Sequence, residues 1–163
     1  MTISEQLTHD LENVLFGDPW YGKPVYTLLD EVGFETAFEK PAGSVHSIAD
    51  IVLHMLAWTE EVLDRMNGLT AQLPSSGDWP EHGEPSEQKW QNYVNDLKLL
   101  NVNLLGVIRD FPEPDWNQPI KDERNPELGT GVSFEELVKG LIQHNIYHSA
   151  QVALLTRIIQ IGA

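Results

Sequence analysis

The stretch that decides the fold is SIADIVLHMLAWTEEVLDRMNG, residues 47–68. Ser47 and Asp50 occupy the two positions of a capping box, in which a serine and an acidic residue three positions later bind the free backbone N–H groups at a helix start. Apolar residues then recur at the spacing of one helix face, at positions 51, 53, 56, 57 and 63. This pattern predicts a long amphipathic helix that ends near Asn67 and Gly68.

Three further segments predict long helices of the same kind, at residues 2–17, 86–110 and 133–159. Capping boxes open the first and the last of them. A shorter helical run at residues 25–32 follows a turn-rich insert at residues 17–24, so we expect the first helical region to be broken into two pieces. No segment shows the alternation of a β-strand.

Two longer connections separate these helices. Residues 73–85 are dense in Pro, Gly and Ser and predict a loop. Residues 111–131 have three prolines in their first half and no convincing period, which predicts either an ordered connection or an active-site flap. Four long amphipathic helices in 163 residues imply an all-α fold, a four-helix bundle with long connecting loops, formed as a single domain over residues 1–163.

Charge and composition narrow the partners and the chemistry. Ten Lys and Arg against 25 Asp and Glu give a net charge of −15 with His neutral, which argues against nucleic acid and anionic membrane surfaces as partners. Because the chain has no Cys, thiolate ligands, disulfides and thiol nucleophiles are excluded, and a transition-metal site must use His and carboxylate ligands. The first ten residues lack the pattern of a secretory signal, and the apolar stretches are too short to span a bilayer, so we expect a cytoplasmic protein.

Three of the six histidines lie inside strongly apolar helical segments. His144 and His148 are four residues apart, about 400° of rotation and a rise of roughly 6 Å, so both imidazoles project from one helix face and can reach one ion. His54 lies in the core-facing stripe of another helix, which a bundle can bring alongside. Burying three imidazoles costs stability unless each finds a partner, and one shared cation would satisfy all three. The alternative is ordinary core packing, in which such histidines bind backbone carbonyls.

The remaining histidines are interpreted as surface or turn residues. His46 precedes a helix cap, His82 lies in a loop, and His9 has polar neighbours in the first helix. Asp50 stands one turn before His54 and is considered as a fourth ligand, but its place in the capping box already occupies its carboxylate.

Two parts of the chain resemble a known family. In residues 15–68 the landmarks are WYGKP at 20–24, KPAGSVHSI at 40–48, and His54 followed by Ala57 and Trp58. Residues 144–152 read HNIYHSAQV, an H-x-x-x-H followed by a small residue, a glutamine and an apolar residue. In order and spacing these motifs resemble the DinB/YfiT-like superfamily, and together they cover nearly the whole chain.

This resemblance implies a four-helix bundle with a divalent metal, commonly nickel or zinc, on one His of the second helix and two of the last. Carried over to this chain, the ligands are His54, His144 and His148. Gln151 of the family's Gly-Gln step is retained, but Ala150 replaces the glycine, so packing there is expected to differ. Many relatives are homodimers, and characterised ones include transferases and isomerases that use a low-molecular-weight thiol, bacillithiol or mycothiol. Iron and manganese also bind such ligands, so the metal cannot be identified from the ligands alone.

Three neutral imidazoles plus solvent make an open site, the arrangement of a catalytic metal. The same ligands permit two reactions on a small-molecule substrate: hydrolysis by metal-bound hydroxide, and addition or transfer of a thiol held as thiolate. The alternative of a different class is a non-catalytic, stress-associated metal-binding bundle. The chain has no HExxH motif, so the general-base Glu of that metalloprotease class is missing.

Residues near the ligands follow from helical spacing. Gln151 lies on the ligand face of the last helix and Tyr147 stands beside that face, which makes them the candidate catalytic residues, with Gln151 orienting solvent or substrate. Trp58 and Glu61 fall four and seven residues after His54. We expect Trp58 in the core, and Glu61 at the surface or at the mouth of the site.

Overall fold

A computed structural model describes residues 1–123 and 131–162 of the chain. In these residues there are six α-helices and one short 3-10 turn, and no strand beyond an isolated bridge between Pro119 and Ser133. The helices are α1 Ile3–Phe16, α2 Val25–Asp30, α3 Phe34–Phe38, α4 Ile48–Met66, α5 Glu87–Asp110 and α6 Phe134–Gly162, and the 3-10 turn is Glu113–Asp115. The prediction of an all-α fold is confirmed.

The long helices begin where the sequence predicts. At the start of α4 the Asp50 N–H donates to the Ser47 hydroxyl at 3.1 Å, and the Ser47 N–H donates to Asp50 Oδ2 at 2.8 Å. The same reciprocal pair of bonds forms at the starts of α1 and α6, and Ser86 caps α5. Gly68 follows the end of α4 with φ +87°, a left-handed conformation that glycine adopts without steric cost.

The first helical region is broken more than the sequence predicts. The run expected at residues 25–32 ends at Asp30, and a further short helix, α3, follows it. One reason is that the Val32 carbonyl accepts a hydrogen bond from the Trp90 indole N–H at 2.8 Å, which fixes the chain between the two short helices against α5.

The four long helices pack against one another around a common core. α4 contacts α5 and α6, and α1 contacts the same two helices. Each contributes fully buried apolar side chains, among them Leu7, Leu11, Val52, Met55, Leu97, Leu104 and Val138. Burying a side chain of this size stabilises the fold by roughly 1.5–3 kcal/mol relative to leaving it exposed. This packing places the middle of α4 beside the middle of α6.

The connection after α5 is ordered over the part that the structure describes. Trp116 is completely buried, and backbone bonds join residues 116–120 to residues 132–135, at the beginning of α6. His144 lies ten residues along α6 from Phe134, roughly 15 Å away, so this part supports the ordered-connection alternative rather than a flap over the histidines. The remainder of that prediction, residues 124–130, lies outside the described residues.

No helix within the described ranges has the length and apolar character needed to cross a membrane.

Candidate metal centre

His54 on α4 and His144 and His148 on α6 converge in the bundle. Each offers one ligand atom, and these atoms all lie within 4.8 Å of one another. The Nε2 atoms of His54 and His144 are 3.0 Å apart, and the centroids of the three ring pairs are separated by 5.0, 4.7 and 4.4 Å. His54 and His148 are buried, and His144 is partly buried. The group could hold a metal ion.

Acceptor oxygens bind the Nδ1 atoms of two of the three rings and so fix the orientation of these rings. His54 Nδ1 donates to the backbone oxygen of Asp78 at 2.6 Å, and His148 Nδ1 donates to Gln151 Oε1 at 2.7 Å. Because these oxygens only accept, each Nδ1 carries the proton, and each Nε2 presents a lone pair. A second nitrogen fixed in this way is typical of histidines that bind metals.

His144 completes the cluster with a different environment. Two lone pairs cannot face each other at 3.0 Å, so the His144 Nε2 and the His54 Nε2 need a proton or a cation between them. The His144 Nδ1 is buried and has no hydrogen-bond partner among the described residues. Three imidazole nitrogens are a donor set suited to zinc, nickel, iron or copper, so the residues fit a divalent transition metal.

The histidines of α6 are held in their neutral form. Burial lowers the pKa of His144 to about 4, and repulsion from His148 and His54 adds to the effect. Burial also lowers the pKa of His148, although the hydrogen bond that its Nδ1 donates to Gln151 and the charge of Asp78 act in the opposite direction. Neutral imidazole is the form that binds a metal, so both side chains are ready to act as ligands near pH 7.

The loop predicted at residues 73–85 closes one side of the cluster. Its Trp79 stacks face to face on His54, with ring centroids 3.9 Å apart and planes 9° from parallel. On the other face of the indole lies His46, at 3.6 Å and 2°. In the same loop, Asp78 Oδ1 accepts from the Trp58 indole N–H at 2.7 Å and lies 3.4 Å from His54 Nδ1.

Asp78 and Trp79 are the functional residues that sequence reasoning missed. Their signal was weak, because a loop that carries an Asp and a Trp has no period and no spacing to relate it to a distant histidine. Asp50, the considered fourth ligand, stays in its capping box, with Oδ1 at 3.6 Å from His82 Nε2, and does not join the cluster.

The remaining histidines partly follow the prediction. His9 is exposed, as expected. His46 and His82 lie outside the helices, as expected, but are half-buried, because His46 stacks on Trp79 and the His82 ring meets the edge of Phe38 at 5.0 Å. None of the three belongs to the cluster of possible metal ligands among the described residues.

Two expectations along α4 are wrong. Glu61, expected at the surface or at the mouth of the site, is only 3% exposed, because its Oε1 accepts from Arg65 Nε and from the Gln72 N–H, both at 2.8 Å. Trp58, expected in the core, is only half-buried, because its indole N–H reaches out to Asp78 in the loop.

The two candidate catalytic residues contact His148 in different ways. Gln151 is on the ligand face, where helical spacing places it, and its Oε1 positions the His148 ring. Its Nε2 has no partner among the described residues. Tyr147 is exposed, and its ring meets that of His148 edge to face with centroids 5.0 Å apart.

A family model described as the DinB superfamily matches residues 25–152. The match covers well over half of the chain and includes all three histidines of the cluster, and it confirms the resemblance seen in the sequence. No curated protein and no solved structure gives a significant match.

Proposed function

The chain belongs to the DinB superfamily, and from this premise we propose that it binds a divalent metal ion through His54, His144 and His148 and acts as a metal-dependent enzyme on a small molecule. The observation that carries the proposal is the convergence of three imidazole nitrogens within 4.8 Å. Three protein ligands leave coordination positions for solvent or substrate, as in catalytic zinc sites.

A zinc or nickel ion bound here would supply Lewis acidity and lower the pKa of a bound water or thiol. The chain's own residues prepare the site for it. Asp78 and Trp79 hold the His54 ring from its back and its face, and Gln151 holds the His148 ring. Because burial keeps the imidazoles of α6 neutral, no proton has to leave them near pH 7 before the ion binds.

Hydrolysis and thiol transfer are the two reactions that we propose to test. For hydrolysis, the free Nε2 of Gln151 can donate a hydrogen bond to a substrate oxygen, and the exposed Tyr147 hydroxyl can exchange protons with solvent beside His148. For thiol transfer, the thiol must come from a small cofactor, because the chain has no Cys.

A non-catalytic metal-binding bundle is the second candidate function. The observation that favours it is the continuous stack of His46, Trp79 and His54, which ties a loop and the start of α4 to the cluster. A metal ion that linked α4 to α6 at this point would stabilise the bundle without any reaction.

Metal content tests the site. Untagged protein is stripped with a chelator, reconstituted with zinc, nickel or manganese, and its metal is measured by elemental analysis. We expect about one ion per wild-type chain and a loss of at least roughly 100-fold in affinity in His144→Ala, because losing a ligand costs more than losing a contact that only orients one, which costs about 10–100-fold. His9→Ala, which removes an exposed histidine outside the cluster, is the matched control. Wild-type protein without stoichiometric metal would rule the proposal out.

Catalysis needs a separate measurement. Metal-loaded and metal-free protein are compared on a panel of ester, amide and phosphoester substrates, and for binding of low-molecular-weight thiols. Metal-dependent turnover that disappears in His144→Ala supports the enzyme. Activity that survives removal of all three histidines contradicts the mechanism, and a metal-loaded protein inactive on every substrate and thiol favours the non-catalytic bundle.

A further inference from the structure

A groove of about 550 Å³ runs along α6 beside the candidate metal centre. One wall is the turn at residues 41–46, and the other is the face of α6 that carries Gln151, Leu154 and Ile158. Its volume lies within the range of roughly 300–1,000 Å³ typical of sites for small molecules. None of the three histidines is among the described residues that line the groove, but Gln151, which lines it, binds His148 one turn earlier on α6.

Two polar side chains link the groove to the centre. Gln151 lines the groove and binds His148, while His46 lines the groove and stacks on Trp79, which in turn stacks on His54. A molecule in the groove can thus contact the groups that position two of the three histidines. The Gln151 Nε2 is the donor available to it, because the Oε1 is already used by His148.

The rest of the groove is apolar and carries no formal charge. None of the eleven described residues that line it is Asp, Glu, Lys or Arg, although 21% of the chain consists of these four types. Three of the lining residues expose aliphatic side chains to solvent: Val45 by 75%, Leu154 by 60% and Ile158 by 45%. A charged ligand group would lose its hydration here without gaining an ionic partner.

The wall opposite α6 is formed before any ligand binds. The Ser44 N–H closes the turn by donating to the Pro41 oxygen at 3.0 Å, and Gly43 takes a φ of +86° that favours glycine. The Ser44 hydroxyl donates to the His46 carbonyl at 2.6 Å and holds that histidine on the groove. A preformed wall reduces the entropy that a ligand must lose on binding.

We propose that this groove binds the substrate, and that the substrate is an uncharged, mainly apolar small molecule with a hydrogen-bond acceptor, such as a carbonyl oxygen, at the end that meets Gln151. The apolar body lies against Val45, Leu154 and Ile158, and the acceptor faces the Gln151 Nε2. This assignment rests on the proposed function, since it names the substrate class of the same centre.

The groove is tested on metal-free protein with N-phenyl-1-naphthylamine, an uncharged apolar probe whose fluorescence rises on binding. We expect Leu154→Glu to weaken binding at least roughly tenfold, because it replaces apolar contact area with a charge in an uncharged groove. The matched control is Leu99→Glu on α5, a leucine 63% exposed that does not line the groove, and it should bind as wild type does. Equal affinity in Leu154→Glu and wild type overturns the proposal. Val45→Glu, on the turn, repeats the test should Leu154→Glu not fold.

Charge selectivity is tested by displacing the probe with octanamide or octanoate, which have the same apolar chain. Octanamide should displace it at a concentration at least roughly tenfold lower, because only the carboxylate has to be desolvated as an ion. Equal potency of the two compounds overturns the assignment of an uncharged substrate.

Two further measurements are needed. The first distinguishes a substrate groove from a dimer interface, and the second shows whether a substitution in the groove leaves metal binding unchanged. Sedimentation of wild type and Leu154→Glu shows whether a second copy of the chain covers the groove: a wild-type dimer that the substitution dissociates overturns the proposal. Elemental analysis of reconstituted Leu154→Glu should give the wild-type metal content. If wild type binds the probe selectively but holds no metal, the proposed function fails and the ligand is not a substrate of a metal centre, while the preference of the groove for an uncharged apolar molecule stands.

Discussion

In two regions of the bundle, polar contacts attach a loop to the helices. The two regions differ in how the polar atoms are partnered. At the start of α1, the connection after α5 is held by a closed set of bonds. The Trp116 indole N–H donates to Ser4 Oγ at 2.9 Å, and Ser4 Oγ donates to the Phe111 oxygen at 3.3 Å. Glu113 Oε1 accepts from the Ile3 N–H at 2.7 Å. Each donor in this set meets an acceptor on the protein.

The candidate metal centre holds its loop in a different way. The Asp78 backbone oxygen and Gln151 Oε1 accept hydrogen bonds from the Nδ1–H groups of His54 and His148, and the ligand nitrogens of the three histidines lie within 4.8 Å of one another. The Nδ1 of His144 has no partner among the described residues. The difference teaches how to tell a loop held for stability from one held for binding. The first pairs each donor with a protein acceptor, and the second fixes imidazole nitrogens close together, where a cation can replace the proton that His54 and His144 share.

The largest expected effect on the free energy of unfolding comes from a substitution in the closed region, the set of bonds that joins Trp116, Ser4 and Phe111. Trp116→Ala should lower the free energy of unfolding by roughly 3–5 kcal/mol, the range for removing a large buried aromatic side chain, because Trp116 is completely buried. The metal content of the folded variant should equal that of wild type, since Trp116 is bonded to Ser4 of α1 and Glu135 of α6 and not to the histidines. Urea unfolding of metal-free protein and elemental analysis measure the two quantities.

Trp20→Ala is the matched control for this substitution, because Trp20 is fully exposed. It should change the free energy of unfolding by no more than about 0.5 kcal/mol. A Trp116→Ala variant that stays folded but loses its metal would show that the two regions are coupled, and the comparison between them would then be wrong.

A smaller effect is expected from a substitution at the candidate metal centre, the open region of this comparison, where Gln151 positions His148. Gln151→Leu removes the acceptor that orients His148 and should weaken metal binding by roughly 10–100-fold, the usual cost of losing such a contact. The free energy of unfolding of the metal-free protein should change far less than in Trp116→Ala, because Gln151 is only partly buried. Competition with a chelating indicator gives the affinity.

Gln160→Leu, at an exposed position further along α6, serves as the control and should bind metal as wild type does. Should Gln151→Leu keep the full affinity, the orientation of His148 by Gln151 would have no bearing on metal binding.

Most of the fold could be predicted from the sequence because its signals are local. Capping boxes and apolar periodicity lie within a few residues of the structure they determine, and the three predicted boxes all form. The break after α2 could not be predicted in the same way. One reason for it is the bond between Val32 and Trp90, which are 58 positions apart.

The same difference between local signals and long-range contacts applies to the cluster of histidines. The pair His144 and His148 is visible in the sequence because one helix turn relates them, and His54 follows from its place in an apolar stripe. Asp78 and Trp79 lie in a loop, and only the folded chain brings them onto His54, so no spacing indicated them. The expectation for Glu61 was wrong for a related reason. One of its two partners, Arg65, is on the same helix, but the other, Gln72, is in the next loop.

The smallest expected effect is the pH dependence of stability in the metal-free protein. The pKa of His144 is about 4 in the folded state and near its ordinary 6.5 in the unfolded chain, so between these values the unfolded chain binds more protons. The contribution of His144 to the free energy of unfolding is therefore fully present above pH 6.5 and falls as the pH is lowered toward 4. Because His144 is only partly buried, solvent screening keeps the change modest. Urea unfolding at several pH values measures it.

His144→Asn should reduce the slope of stability against pH in this window, while His9→Asn, at an exposed site, should leave the slope as in wild type. If both variants keep the wild-type slope, burial does not hold His144 neutral. The candidate metal centre would then lack an imidazole that is ready to bind a metal ion near pH 7. Protonation and metal binding compete for the same nitrogen lone pair. The metal affinity expected of wild type should therefore also fall as the pH is lowered through this window. Trp116→Ala should show the same fall, because Trp116 contacts Ser4 and Phe111 rather than the histidines.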